Sequence, residues 1–171
     1  MTFTAYADGR FERAGHWTHC ALGPAGVVAA EAKREGDGAS PAGLWPMRRV
    51  LYRADRRAAP ETGLMAAPLD PADGWCDAPG DPAYNMHVRL PYPASAERLW
   101  RDDGAYDLLV VLGHNDDPVV PGAGSAIFLH LARPDFAPTQ GCIALAVDDL
   151  EALLRVAWPG DALRISPGRA L

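Results

Sequence analysis

Hydrophobic residues in this 171-residue chain fall into short runs divided by turn residues, and helical spacing recurs at one place near the C-terminus. From Phe3 to about Ala30, small apolar patches alternate with Gly9-Arg10, Gly15 and Gly23-Pro24, which predicts a hairpin-rich β start. Glu31 to Gly43 holds three glycines, Ser40 and Pro41 and reads as a loop, followed by a strand over Leu44 to Arg53 entered through Pro46. Ala54 to about Tyr84 carries Pro60, Pro68, Pro71, Pro79 and Pro82 with little periodicity. It predicts a long irregular segment, of the kind that covers a site as a lid.

The strongest strand signal is Tyr106 to Leu112, a continuous apolar run of the type buried on both faces and expected at the centre of a sheet. Ser125 to His130 predicts a short strand in which Ile127 and Leu129 share one face while Ala126, Phe128 and His130 share the other. Cys142 to Leu145 predicts a third. A helix is expected from about Asp149 to Ala157, with Leu150, Leu153, Leu154 and Ala157 on one side and Asp148 and Glu151 placed as a reciprocal cap. Ala162 to Ile165 predicts the last strand. The chain thus reads as mainly β with one C-terminal helix and long irregular loops, and its length fits one domain over residues 1–171, since domains run to roughly 100–200 residues.

Composition narrows the function classes. A formal net charge of −6 without a basic stripe argues against nucleic acid as a partner. No window approaches the roughly 18–20 apolar residues that span a bilayer, and the N-terminal stretch has no basic segment followed by an apolar run. No membrane partner is therefore expected, and the expected location is cytoplasmic, or periplasmic if an export leader has been removed. Cys20, Cys76 and Cys142 are odd in number and far apart, which suggests neither a disulfide framework nor a paired-cysteine zinc site. His114 with His130 lacks the enforced spacing of a metal set, and no nucleotide loop or haem motif is present, so neither metal nor cofactor is expected. Asp116 and Asp117 are adjacent on an extended chain and point opposite ways, which argues against a paired-carboxylate hydrolase.

Cys142 directly follows Gly141 at the start of a strand and the end of a proline-bearing loop, the placement of a presented thiol. A glycine there lets the amides at 141 and 142 approach a ligand closely, as an oxyanion site requires. A thiol of ordinary pKa, about 8.5, is mostly protonated at neutral pH, so a nucleophilic cysteine needs an imidazole within reach. His130 ends the strand before that loop. By spacing alone, a buried cysteine and a surface histidine are the better reading. Cys20 reads as packed core, Cys76 as a plain thiol, and Trp75, Tyr84 and Asn85 as lid residues.

Two ordered motifs carry a family resemblance. Ile127-Phe128-Leu129-His130 followed by Thr139-Gln140-Gly141-Cys142-Ile143-Ala144-Leu145 resembles the signature of the L,D-transpeptidase (YkuD) family, a strand-terminal His before an S/T-H-G-C-hydrophobic-R/N segment. Asp37-Gly38-Ala39-Ser40-Pro41-Ala42-Gly43-Leu44-Trp45 is similar to that family's D-x-x-T-P-x-G-x-F/Y stretch. The likeness extends loosely over residues 15 to 165 and implies a β-sandwich of that type.

The resemblance implies Cys142 as nucleophile, His130 as base, the Gly141 and Cys142 amides as oxyanion donors, and the Leu131 carbonyl as the group holding the imidazole. Thr139, Gln140, Arg133 and His114 are the candidate substrate-binding residues. Two positions depart from the pattern: Gln140 stands for the family's His before Gly, and Ala144 for its Arg two positions after Cys. The missing guanidinium removes a bidentate carboxylate contact, which Arg48, Arg49, Arg89 or Arg133 would have to supply. The implied substrates are peptidoglycan stem tetrapeptides, cleaved before the terminal D-Ala through a thioester. Transfer to water makes an L,D-carboxypeptidase, the favoured expectation, and transfer to an amine makes a transpeptidase. The alternatives are an idle peptidoglycan-fragment binding module and a cysteine amidase of another substrate class.

Overall fold

The computed structural model describes residues 1–168. Its elements are β1 (Thr2–Tyr6), β2 (Arg10–Arg13), β3 (His16–Ala21), β4 (Val27–Val28), β5 (Ser40–Pro41), β6 (Gly43–Tyr52), β7 (Ala66–Pro68), β8 (Asp73–Cys76), β9 (His87–Arg89), β10 (Ala96–Arg98), β11 (Leu108–Leu112), β12 (Phe128–Leu131), β13 (Ile143–Leu145), α1 (Val147–Leu154) and β14 (Ala162–Ser166). Hydrogen bonding runs β11-β12-β13-β3-β2-β1-β14-β6, and β6 then pairs back onto β11. The long strand β6 makes this closure possible. Its first half, Gly43 to Pro46, pairs with β14, and its second half, Met47 to Tyr52, pairs with β11, so one strand serves both layers of a sandwich.

Between the layers lies the main core, with Phe3, Val50, Val110, Leu129, Ile143, Leu145 and Leu163. α1 closes it by burying Leu150, Leu153 and Leu154. A second apolar cluster covers the outer face of the β11-β12 layer, with Leu109, Val111, Phe128, Trp75, Leu99, Tyr106 and Cys142. Every residue of β11 is buried, Leu108, Val110 and Leu112 in one cluster and Leu109 and Val111 in the other, as a strand buried on both faces requires. The alternation expected around β12 is present too: Ile127 and Leu129 enter the main core, Ala126 and Phe128 the outer cluster.

Two expectations change. The helix begins at Val147, with Ala146 at the N-cap and no side-chain cap, and ends at Leu154, so Asp148 and Glu151 form no capping box. Tertiary partners won: Asp149 accepts from the Thr18 hydroxyl at 2.6 Å, and Glu151 pairs with Arg57. The segment from Ala54 to Tyr84 is not irregular throughout. It contains β7 and β8, and β8 joins β9 and β10 in a small antiparallel sheet of order β10-β8-β9 whose Trp75 and neighbouring Leu99 sit on the outer cluster. Strands of three or four residues set among prolines are too short to show a period.

That small sheet is fastened by Asn85, which accepts hydrogen bonds from Trp75 Nε1 at 2.9 Å and the Ala126 amide at 3.0 Å. Its own amide group donates to the His114 carbonyl at 3.0 Å and the Asn115 carbonyl at 2.7 Å. Leu129, fully buried in the main core, should lose about 2–5 kcal/mol of stability on Leu129→Ala. Leu44→Ala, at a position 48% exposed, should stay within about 0.5 kcal/mol; urea unfolding of both variants checks the contrast.

Candidate active site

The site grows out of one strand pairing. β12 and β13 run parallel, with Leu129 opposite Ile143 and His130 opposite Ala144. Leu129 and Ile143 both point into the main core, so the residues flanking them, Phe128 and His130 on one strand and Cys142 and Ala144 on the other, face the opposite side. Cys142, Ala144 and His130 line one cavity of about 520 Å3, together with Lys33, Glu97, Arg101 and Tyr106.

His130 is 8% exposed, and its Nδ1 lies 2.9 Å from the carbonyl oxygen of Leu131. A carbonyl only accepts, so Nδ1 carries the hydrogen and Nε2 is left with a free lone pair. The Tyr106 ring meets the imidazole edge to face, with centroids 5.2 Å apart. The Cys142 thiol donates to the Ala126 carbonyl at 3.2 Å, and its sulfur accepts from the Phe128 amide at 3.3 Å. Burial dominates the electrostatics of both groups. Desolvation pulls the His130 imidazole down to about 4 and pushes the Cys142 thiol up to about 12, the latter aided by the Glu97 charge and opposed by the Phe128 amide. Both shifts favour a neutral thiol and a neutral imidazole on the same cavity wall at rest.

The segment before Cys142 is braced against the Asp37 loop. Gly141 has φ +124°, and a Cβ there would stand 2.7 Å from the Ala39 carbonyl oxygen, so the close approach requires glycine. Asp37 shapes that loop by accepting from Lys33 Nζ at 2.6 Å and from the amides of Arg34 and Ala39 at 2.8 and 2.9 Å. These donors hold its carboxyl below the usual carboxylate range despite some desolvation. The two stretches that carry the family likeness, remote in sequence, thus touch at Ala39 and Gly141.

The sequence-derived candidates are placed differently from one another. Arg133 and Gln140 are exposed and line the cavity. Thr139 lines it too, but its hydroxyl donates to the Cys142 carbonyl at 2.7 Å and accepts from the Gly141 amide at 3.1 Å. At rest the Gly141 amide, expected as an oxyanion donor, is bonded to the Thr139 hydroxyl, which closes the turn that presents Cys142. The expected place of His114 is corrected. It does not line the cavity; its Nε2 is bonded to the Ala123 carbonyl at 3.0 Å, its ring stands against Trp45 at 4.7 Å, and its carbonyl accepts from Asn85. Arg48 pairs with Asp116, and Arg89 with Asp70 and Asp73, away from the site. Among the described residues, no three His, Cys, Asp or Glu side chains are grouped to hold a metal ion.

Sequence reasoning missed Tyr106, Glu97, Arg101 and Lys33. Tyr106 was hidden in an apolar run, and Glu97 and Arg101 in a segment without periodicity. Lys33, the chain's single lysine, gave the one available hint: it is 2% exposed, and such a residue is buried only when paired.

A mainly β sandwich that sets a cysteine and a histidine on one face at adjoining strands is an arrangement that cysteine acyl-transfer chemistry can use. The family model of the L,D-transpeptidase catalytic domain (YkuD) matches residues 1–165. The chain belongs to that family, whose members are cysteine-dependent L,D-transpeptidases acting on peptidoglycan peptides. No curated protein and no solved structure matches it.

Gly141→Ala should destabilise the fold by at least about 1–3 kcal/mol in thermal unfolding, since it combines a left-handed φ with a clash against backbone. The low His130 value makes acid costly as well: between about pH 6.5 and 4 the unfolded chain binds a proton at His130 that the native chain does not, so stability falls as pH falls. His130→Gln should flatten the urea-unfolding free energy across that window.

Proposed function

We propose that this chain cleaves the amide between the L-centre of a diamino acid and the terminal D-Ala of a peptidoglycan stem tetrapeptide, through a thioester on Cys142. The observation that carries the reading is the β12–β13 register, which puts the thiol and an imidazole with a free Nε2 on the same cavity wall. Proton transfer from the Cys142 sulfur to His130 Nε2 accompanies attack on the carbonyl carbon, because neither group is charged beforehand. The Leu131 carbonyl steadies the imidazolium that forms, and the Phe128 amide supports the sulfur. With the Gly141 amide bonded to Thr139 at rest, the Cys142 amide is assigned as the oxyanion donor. The C–N bond then breaks, and D-Ala leaves with the proton held by His130.

Arg133, exposed on the loop between His130 and Cys142, is assigned to the substrate carboxylate in place of the guanidinium that Ala144 lacks, with Gln140 beside it. Release of the thioester to water, giving a tripeptide, is the favoured route. Its support is the charged lining of the cavity, to which Lys33, Glu35, Asp77, Arg101 and Arg133 contribute.

Mass spectrometry of the full chain with free and disaccharide-linked tetrapeptide, with and without an added D-amino acid, tests this. Tripeptide in water alone is the expected product. Product only with the D-amino acid would mean transpeptidation, and none in any arm would favour a binding module or another amide substrate. Cys142→Ala should abolish product, and His130→Ala should slow it by roughly 10²–10⁴-fold.

A further inference from the structure

Tyr106 occupies a position that the Cys142/His130 chemistry above does not use. It is buried just ahead of β11, and its ring is fixed from several sides. The ring meets His130 at 5.2 Å and Phe128 at 5.8 Å, both edge to face, while the Arg101 guanidinium lies 4.9 Å from its centroid. Its hydroxyl donates to Glu97 Oε1 at 2.6 Å. Arg101 in turn approaches Glu97 at 3.5 Å and holds Asp103 at 2.5 Å. The ring therefore has little freedom, and Tyr106 lines the same cavity as Cys142 and His130, where its hydroxyl favours the Cys142 thiolate.

We propose that Tyr106 is a further catalytic residue, whose hydroxyl is the side-chain donor that meets the Cys142 sulfur as the thiolate forms, and that Glu97 is the positioning residue that aims it. The proposal rests on Cys142 acting as the nucleophile. A phenol carries one hydrogen and two lone pairs, so it serves one acceptor at a time. At rest that hydrogen goes to Glu97, and the thiol hydrogen goes to the Ala126 carbonyl. When the S–H bond breaks, the proton moves to His130 Nε2 and the electron pair stays on sulfur. The phenolic hydrogen then turns from Glu97 to the sulfur while the O–H bond stays intact, so no net proton passes through Tyr106. Glu97 retains Arg101 beside it. A buried thiolate with too few donors is strongly disfavoured, and this second donor joins the Phe128 amide.

The pair has two effects of opposite sign on the same thiol. The Tyr106 hydroxyl favours the thiolate, whereas the Glu97 charge disfavours it. Lys33, from the loop before Asp37, also faces Cys142 and favours the thiolate, and His130 shares the wall. Glu97 is itself faced by Arg101, Asp77 and Glu35, and burial holds its carboxyl above the usual range.

The test measures modification of Cys142 by iodoacetamide against pH, in the full chain, by peptide mass spectrometry that separates Cys142 from Cys20 and Cys76. Tyr106→Phe keeps the ring and its contacts. It should displace the rising limb of the profile upward by about one pH unit, roughly tenfold slower modification at a fixed pH. Glu97→Gln keeps an oxygen that accepts from Tyr106 and removes the charge, so it should displace the limb downward, with modification several-fold faster. A role in packing alone moves neither limb, and a loosened pocket moves both in the same direction; either result overturns the proposal. Tetrapeptide turnover by the unaltered chain is followed in parallel. Opposite displacements without turnover would leave Tyr106 and Glu97 standing and remove the stem-peptide reading, whereas turnover with unmoved profiles would remove this proposal alone.

Discussion

Burial of the β11-β12-β13 layer on both faces is the constraint on which the rest of the structure depends. One face must be apolar to hold the sandwich together, and Val110, Leu129 and Ile143 supply it. The residues between them are then committed to the outer face, where they are covered in turn by the small sheet that carries Trp75. His130 and Cys142 inherit their positions from this alternation. A register slip of one residue between β12 and β13 would put one of them in the core.

That burial also sets the chemistry. In a site open to water, a cysteine beside a histidine can rest as an ion pair. Here desolvation disfavours both charges at once, moving the two groups apart in the sense that keeps each neutral. In the proposed reaction charge develops only at the transfer step, so the groups that receive it must already be in place. At rest the Leu131 carbonyl already accepts from the imidazole and the Phe128 amide already donates to the sulfur. Preorganised donors of this sort need no rearrangement of water when charge develops.

Precision at the site comes from two backbone braces rather than from regular structure. The carbonyl of Ala39 lies so close to Gly141 that the loop before Cys142 can take only one path, and Asp37 keeps the Ala39 segment folded through three donors. On the other side, Asn85 ties the lid to the 114–115 backbone and to the Ala126 amide, whose own carbonyl accepts the Cys142 thiol. Ala126 itself has a left-handed φ of +52°, which ends the strand pattern before Phe128 and turns that carbonyl toward the sulfur.

Much of this was legible in the residues. The apolar run ending at Leu112, the alternation around Leu129 and the leucine face of the helix each reflect burial of a local periodicity, and periodicity is written along the chain. The Gly141-Cys142 step and the upstream His130 were visible as chemistry, and the two motifs in order pointed to the family that the chain belongs to. What tertiary structure decided was everything that depends on contacts between remote segments. Asp148 looked like a helix cap, but neighbouring acidic residues found partners in Thr18 and Arg57, far away in sequence. His114 was a plausible neighbour of the site, but its backbone is held by Asn85 and its ring lies outside the cavity, and the resting partner of the Gly141 amide is the Thr139 hydroxyl. Glu97 and Tyr106 met beneath a lid whose strands are too short to carry a pattern. Local sequence fixes which residues want burial; only the closed sandwich determines which polar groups share the space that remains.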